Sequence, residues 1–535
     1  MTQFVVLIVI HCTQWSCYPN YWPNRRPPPV TVVYVVYSRF TVRRPKGDEG
    51  KMSDSLKWFA FMSYGVGHVL NDLVASMWFT YALVFYHYVM QLSSINAGAV
   101  VLVGQLTDAV ATAVIGVLSD KTNIYCTDRY GRRKTWHLFG SVLVFISLPF
   151  AFSPPILPQA ETSELNTALY YCFFIVFFQI GWASIENSHM ALASDLTPIR
   201  DERTALLSIR YSFTVFSNIL VYVVTWIVLR SNNASKTQFG PSERKEFQIV
   251  ILVIMIVGAM TTIIFHIGVR EPLTNNRVNR ELLMTETEAE RAANSFWSMF
   301  KHITLYQTAV VYMCSRITVN MTLVFLPMYL QDYLKLEAEK LALLPLIMFL
   351  SSFCMSLLNK PMNMKLGRKY TYSFGVVLSL GSALWCYLGS GNTFAKYQVY
   401  AVTIIIGIAC SVVLVTSQAL TTDLIGDKTH RGAFTFGLMS FTDKVCNGAV
   451  VMTVQSLHCE TCPNYYRDIM CYNWTIPSIL AFIAVISLPF GGRPTLTVPE
   501  VPETHSSSGN QHPDQSKKQP IEKGQEALPS YAVNS

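Results

Sequence analysis

Gly116-Val117-Leu118-Ser119-Asp120, followed after a short gap by Arg129-Tyr130-Gly131-Arg132-Arg133-Lys134, closes the second long apolar stretch of the chain. Lys365-Leu366-Gly367-Arg368-Lys369 closes the eighth. Basic, glycine-centred loops recurring six stretches apart imply an internal repeat, a common construction among secondary transporters. In this reading Gly116 permits close helix packing, and Asp120, at a helix end, pairs with Arg132 or Arg133 when the adjacent mouth is closed. The plainer alternative is a solvated basic loop that only orients the chain.

Working outward, stretches of about 20 apolar residues, enough to cross the hydrocarbon core as helices, occur near 58–86, 96–118, 136–152, 168–193, 205–229, 247–267, 303–330, 339–358, 370–390, 397–421, 431–456 and 474–491. The expected fold is an all-α membrane protein of twelve transmembrane helices in two pseudo-symmetric six-helix bundles, 56–268 and 302–492. A polar cytosolic linker, 269–301, joins them. The composition agrees: 51% of residues are hydrophobic and 14% charged, against roughly 25% charged in a soluble domain. The flanks, 1–55 and 493–535, have no place in this architecture. The first reads as a disordered extension without the basic leading region of a signal peptide, the second as a disordered cytosolic tail rich in Pro, Ser, Gln and Lys.

Basic residues near span ends stay on the cytosolic side, which places the loops holding Gly131 and Gly367 in the cytosol. The stretches 87–94 and 153–167, free of Lys and Arg, face the other way. On that far side Asn233-Ala234-Ser235 is a glycosylation sequon, while Asn473-Trp474-Thr475 abuts the last span, close to the bilayer. The net charge of +8 is spread over short loops and implies no nucleic-acid partner. Half of the twelve cysteines lie in spans, where Cys acts as a small hydrophobe. Cys459, Cys462 and Cys471 cluster before the last span, where a disulfide is permitted. A zinc site lacks its second ligand pair there, so neither a metal nor another cofactor is expected.

Asp72, Asp108, Glu186, Arg210, Arg316 and Lys444 fall inside the apolar stretches. Each charge near the bilayer centre costs about 2.5–3.5 kcal/mol on the insertion scale, and such charges usually line a substrate or ion path. A transporter is the first hypothesis. A membrane enzyme needs a nucleophile or metal constellation, and the chain has no HExxH, no GxSxG and no complete phosphate loop. A transport-inactive scaffold or receptor is the alternative of another class.

Longer motifs carry a resemblance: Ser63-Tyr64-Gly65-Val66-Gly67-His68, Asn71-Asp72-Leu73, Ala75-Ser76-Met77-Trp78-Phe79-Thr80-Tyr81, Phe178-Gln179-Ile180-Gly181-Trp182-Ala183-Ser184, Ala419-Leu420-Thr421-Thr422-Asp423-Leu424-Ile425-Gly426 and Met439-Ser440-Phe441-Thr442-Asp443-Lys444-Val445. Over nearly all of 56–491 the chain resembles the major facilitator superfamily, and within it the glycoside-pentoside-hexuronide:cation symporter group that includes melibiose permease. It is most similar to a lysosomal and melanosomal branch. The resemblance implies a two-bundle alternating-access carrier, a monomer surrounded by membrane lipid, that moves cysteine into lysosomes and melanosomes. A cation-coupled symporter of a sugar or another organic solute, and residence in the plasma membrane, are the alternatives.

Carried over singly, Asp72 matches the substrate-binding acid of the sugar permeases' first helix, and Asp108 their cation-binding acid. Where those carriers place a second acid, this chain has Thr112, one helical turn from Asp108 and on the same face. That set suits a proton as well as sodium. Glu186, Arg210 and Lys444 align with an acid, an arginine and a lysine of the permeases. A zwitterion offers a carboxylate to Arg210 or Lys444 and an ammonium to Asp72 or Glu186, and in this reading it bridges the halves between Asp72 and Lys444. The gate set is Gly116, Asp120, Gly131, Arg132, Arg133, Gly367 and Arg368, with Asn233 as the glycan acceptor. Blander readings stand beside these. Arg210 and Glu186 can form a structural ion pair, and Arg316, with Asn320, can line a cavity wall or be satisfied structurally. Asp443, about 100° around the helix from Lys444, suits packing, and Asp423 is a gate residue or a helix-end charge. His68 and His189 can relay protons or form satisfied hydrogen bonds. The run Trp78-Phe79-Thr80-Tyr81 suits lipid-facing packing and interfacial anchoring.

Overall fold

Helices form wherever the sequence offers a long apolar run, because a bilayer leaves no water to satisfy a free backbone. The computed structural model describes residues 58–121, 130–156, 163–197, 200–231, 239–271, 302–425, 432–459 and 461–489. The first half contains α1 (Trp58–Val66), α2 (Val69–Val84), α3 (Ser94–Lys121), α4 (Arg132–Ala151), α5 (Glu164–Leu196), α6 (Arg200–Ser231) and α7 (Arg244–Gly268). The second contains α8 (Ile303–Met328), α9 (Ala338–Leu366), α10 (Arg368–Leu388), α11 (Val399–Ile425), α12 (Gly432–Ser456) and α13 (Tyr465–Ser487). Eleven of the helical segments among the described residues are long and apolar enough to cross a membrane. The twelfth span read from sequence is α12, 25 residues long and made polar by Asp443, Lys444, Asn447 and Gln455. The extension, most of the linker and the tail lie outside the described residues.

Leu252, Ile256, Met260, Ile263 and Ile267 of α7 recur every three or four residues and are exposed. Such an outward apolar stripe would be anomalous in water and is ordinary against lipid. The halves meet along α3 against α12, α6 against α9 and α2 against α8.

The repeat is written into the backbone. The first span of each half ends in one wide helical turn, Phe85–Val89 and Tyr329–Tyr333. It closes through Met90 N–H to Phe85 O at 2.9 Å and Leu334 N–H to Tyr329 O at 3.2 Å. Left-handed Gln91 (φ 59°) and Lys335 (φ 54°) follow at equivalent places. Gly131 (φ 106°) and Gly367 (φ 85°) precede the third span of each half, a conformation that favours glycine. Thr135 and Thr371 each donate a hydroxyl back to that glycine's carbonyl, at 2.8 and 2.9 Å.

One expectation is corrected here. Trp78 and Tyr81 are not lipid-facing anchors but core. Trp78 lies 3% exposed beside Phe178, and Tyr81, fully buried, lies against Tyr222 and Phe247. A Cβ on Gly104 would stand 2.4 Å from the Trp78 ring, so the indole occupies space that the glycine leaves.

Candidate functional site

The first span is interrupted. Helix stops at Val66 and restarts at Val69, with Gly67 N–H turning back to Ser63 O (3.2 Å) and Tyr64 O (3.1 Å). A Cβ on Gly67 would lie 2.3 Å from the Phe265 ring, so α7 can press this close to the break only against glycine. Irregular backbone at such a depth persists where protein or a cavity surrounds it. The break places His68 and Asp72 one turn apart, His68 Nδ1 lying 3.0 Å from Asp72 Oδ2. Thr214 of α6 donates to the same oxygen at 2.7 Å, and Arg210 Nη2 lies 2.9 Å from His68 Nε2. A guanidinium only donates, so Nε2 accepts, while Nδ1, close to Asp72, is not aligned to hydrogen-bond it.

Lys444 crosses from the second half. Its Nζ donates to Asp108 Oδ1 at 2.7 Å and to Thr112 Oγ1 at 2.8 Å, and stands 4.0 Å from Glu186 Oε2. Thr112 also donates to Asp108, at 3.1 Å. The pair of oxygens matched to a cation-binding acid and its neighbour is thus filled by the protein's own ammonium. Asp443, pointing elsewhere on α12, accepts Arg316 Nε at 2.8 Å and is bonded by Asn447. Sequence reasoning paired Lys444 with substrate beside Asp72; its first partner in this structure is Asp108.

Glu186 differs from the other acids. Among the described residues it makes no hydrogen bond, and its side chain is 38% exposed in the middle of α5, facing the space between the halves where Lys444 enters. Arg210 has no carboxylate within 4.0 Å among those residues, and its buried Nε has no hydrogen-bond partner. The structural Arg210–Glu186 ion pair is therefore not formed. His189 is half satisfied: Nε2 lies 2.7 Å from Tyr64 O, while its buried Nδ1 has no hydrogen-bond partner among the described residues.

At the end marked by the basic loops, each half is tied by the same kinds of contact. Arg133 reaches Asp195 at the end of α5 (3.3 Å) and Ser119 (2.8 Å), and Arg368 reaches Asp423 near the end of α11 (2.8 Å) and the Ala419 carbonyl. Lys134 donates to the carbonyls of His266 (3.0 Å) and Val269 (2.8 Å), and Lys369 to those of Ile486 (3.1 Å) and Leu488 (2.5 Å). Glu271, which sequence reasoning left in the linker, accepts the N–H groups of Arg133 (3.2 Å) and Lys134 (3.1 Å) and so caps α4. Asp195 and Glu271 were invisible in sequence because they lie 62 and 138 residues from Arg133. The close-packing role read for Gly116 is not met: among the described residues a Cβ there would touch nothing within 4 Å. The Asp120 side chain and Asn233 lie outside the described residues, and Arg132 is only half-buried.

At the opposite end the halves are joined directly. Tyr88 donates to Asp332 (2.6 Å), Trp226 to Glu339 (2.9 Å), and Ser94 Oγ lies 2.8 Å from His458 Nδ1. Phe239 and Gln331 exchange two hydrogen bonds. Cys459 and Cys462 form a disulfide, and Cys471 is a free, buried thiol. Asn473 is buried too, donating to Thr318 O and Thr322 Oγ1 at 3.2 Å.

Residues 63–458 match the family model described as MFS/sugar transport protein. The chain is 40% identical over 433 residues to the human major facilitator superfamily domain-containing protein 12, covering 77% of this chain and 89% of that protein. It is 37% identical to the mouse protein of the same name, covering 81% and 94%. Its fold is similar to that of a D-xylose-proton symporter (TM-score 0.60, 15% identity, 81% of this chain and 97% of that one). A nucleoside transporter is comparable (TM-score 0.59, 13% identity, 81% and 100%).

Proposed function

The chain belongs to the MFS/sugar transport protein family and is a secondary transporter, and from that premise we propose that it carries cysteine into lysosomes and melanosomes by alternating access. The observation that carries the choice of a zwitterion is the charge arrangement between the halves. Asp72, Asp108, Glu186 and Asp443 face Arg210, Arg316 and Lys444, one carboxylate more than the permanent cations. Three of the acids already have partners: Asp72 has Thr214 and His68, Asp108 has Lys444, and Asp443 has Arg316. Glu186 is held only loosely, 4.0 Å from Lys444 and with no hydrogen bond among the described residues, and Arg210 keeps an unpartnered Nε; these suit an ammonium and a carboxylate respectively. A neutral sugar would bring no charge of its own to Glu186 or Arg210.

In this cycle substrate enters from the cytosolic side, the end of the basic loops, while Tyr88–Asp332, Trp226–Glu339 and Ser94–His458 hold the far side shut. Its ammonium meets Glu186 and its carboxylate Arg210. Lys444 leaves Asp108 only as α12 moves against α3, so a proton or cation on Asp108 belongs to the alternate state. Asp72 keeps Arg210 aimed through His68.

Radiolabelled cysteine uptake into lysosomes from cells expressing the chain, beside Glu186→Gln, Asp72→Asn and an empty control, tests the reading. Loss of a charged contact worth about 1.5–3 kcal/mol predicts at least a tenfold fall in uptake for Glu186→Gln at equal abundance. Wild-type flux in that variant removes Glu186 from the ammonium site. Uptake at the level of the control for the unmodified chain rejects cysteine and redirects the search to sugars and other organic solutes.

A further inference from the structure

A row of histidines that the charge arrangement above does not use runs through the first half, from the break in the first span to the basic-loop face. His137 Nε2 lies 3.0 Å from the Gly67 carbonyl at the break. His137 Nδ1 lies 3.1 Å from His266 Nε2 of α7, and His266 Nδ1 lies 2.7 Å from the Tyr130 hydroxyl. Tyr130 is 38% exposed, next to Gly131, while His137 is fully buried.

One anchor settles the polarity of the whole row. A carbonyl accepts only, so His137 Nε2 carries a hydrogen. The neutral His137 ring then has a bare Nδ1, which needs a donor, so His266 Nε2 carries its hydrogen. His266 Nδ1 is then bare and accepts from Tyr130. Every link points inward. One extra proton can be added without losing a link: it enters at His266 Nδ1, His266 passes its Nε2 hydrogen to His137 Nδ1, and the Tyr130 oxygen turns from donor to acceptor. A second proton cannot, because two imidazolium rings would face each other N–H to N–H across 3.1 Å.

We propose that His137 and His266 form a binding site for a single proton, loaded from the basic-loop face through Tyr130 and acting on the helix break that positions Asp72. Of the groups around it, the Lys134 ammonium works against the added proton, and His189 keeps a buried Nδ1 with no hydrogen-bond partner among the described residues. Lys134 of α4 spends its ammonium on the carbonyls of His266 and Val269 and lies 4.5 Å over the Tyr130 ring. His189 of α5 is 6.1 Å from His137 ring to ring and bonded to Tyr64 O, and His68 is directed at Asp72 and Arg210. Glu271 is held by two α4 amides, and Arg270 is exposed. Phe265 covers the pair, 4.4 Å from His137 and 5.0 Å from His266. With the proton on board, His137 Nε2–H becomes a charge-assisted donor to Gly67, roughly twice as strong, and grips the break. Without it, α1 is freer to pivot against α2. The existence of the site is independent of the transported solute; its use in coupling rests on the carrier reading above.

Two measurements on the full chain decide it. In lipid nanodiscs, 15N NMR of labelled histidine rings, assigned with His137→Gln and His266→Gln, should show both rings neutral and Nε2-protonated at high pH. On acidification both should move together through a single one-proton step. Independent titration of the two rings, or none between about pH 4 and 8, overturns the site. In the second measurement, cysteine flux against the pH on the Tyr130 face should show that step in the unmodified chain and lose it in His266→Gln, with abundance kept. An unchanged pH profile in His266→Gln overturns the coupling role. A chain that moves no cysteine at any pH fails the carrier reading instead, and the ring titration still decides the site.

Discussion

The two halves secure their third spans alike and treat their first spans differently. In each, a lysine holds the last carbonyls of the sixth span and an arginine holds an aspartate at the end of the fourth, through Lys134 and Arg133 in one half and Lys369 and Arg368 in the other. The first span of the second half, α8, runs unbroken from Ile303 to Met328, whereas that of the first half breaks at Gly67–His68. Counted back from the wide turns at Phe85 and Tyr329, Asp72 and Arg316 occupy equivalent positions, as do Gly67 and Val311. Equivalent positions thus carry an acid in one half and a base in the other. The acid sits on a hinge with several partners, and the base sits on a continuous helix with one carboxylate. The difference teaches that the wall of the first half is built on an interrupted helix with shared contacts and that of the second on a continuous helix with a dedicated ion pair.

The largest test of that contrast is Arg316→Ala. It leaves Asp443, which is 1% exposed, without its cation and with only Asn447, and removing one partner of a buried ion pair costs about 3–5 kcal/mol. We expect a large fall in the melting temperature of the detergent-solubilised protein, most of it restored in Arg316→Ala/Asp443→Asn. Arg210→Ala should cost less than half as much, because Asp72 keeps Thr214 and His68. Equal losses in the two single variants would mean the two walls are alike after all.

The lysine anchors offer a finer comparison. Lys134 is 5% exposed and donates to two carbonyls, while one of the two bonds made by Lys369 is at the surface. Hydrogen bonds to charged groups contribute about 1.5–3 kcal/mol. Lys134→Met should therefore lower stability by about that much, and Lys369→Met by less. The same melting experiment checks this, and the reverse ranking would show that the second half depends more on its anchor.

How much of this was legible follows from what is local in sequence. The spans, the halves and the glycine-centred loops are set by runs of apolar residues and by near neighbours, so Gly131 and Gly367 were readable before any contact was known. Partners were not. Lys444 and Asp108 are 336 residues apart, and nothing in either segment says that the ammonium reaches Asp108 before Asp72. The break at Gly67 looked like one glycine among several, because its cause is the Phe265 ring arriving from α7. His137 and His266 drew no notice, each being a lone histidine until packing brings the rings together. The aromatic run at Trp78 misled because a lipid-facing and a core-facing stripe share one helical period.

The smallest effect is expected where the halves touch each other at matching positions. Tyr88 and Asp332 each stand at the fourth place of their wide turns, so the hydrogen bond of 2.6 Å between them lies across the pseudo-twofold relation. A contact of this kind joins the halves in one state and has to part when the far side opens. Tyr88→Phe removes one partly buried bond to a carboxylate, worth about 1.5 kcal/mol at the low end for a charged partner, which corresponds to a shift of about tenfold toward the state open on that side. The packing of each half is untouched, so the melting temperature should barely move. Alkylation of Ser94→Cys, a residue that bonds His458 across the same interface, should quicken by that factor when Tyr88→Phe is added. An unchanged rate would place the far-side seal in Trp226–Glu339 instead. The opening would then be governed by α6 and α9, and the first spans would serve as its hinge without serving as its latch.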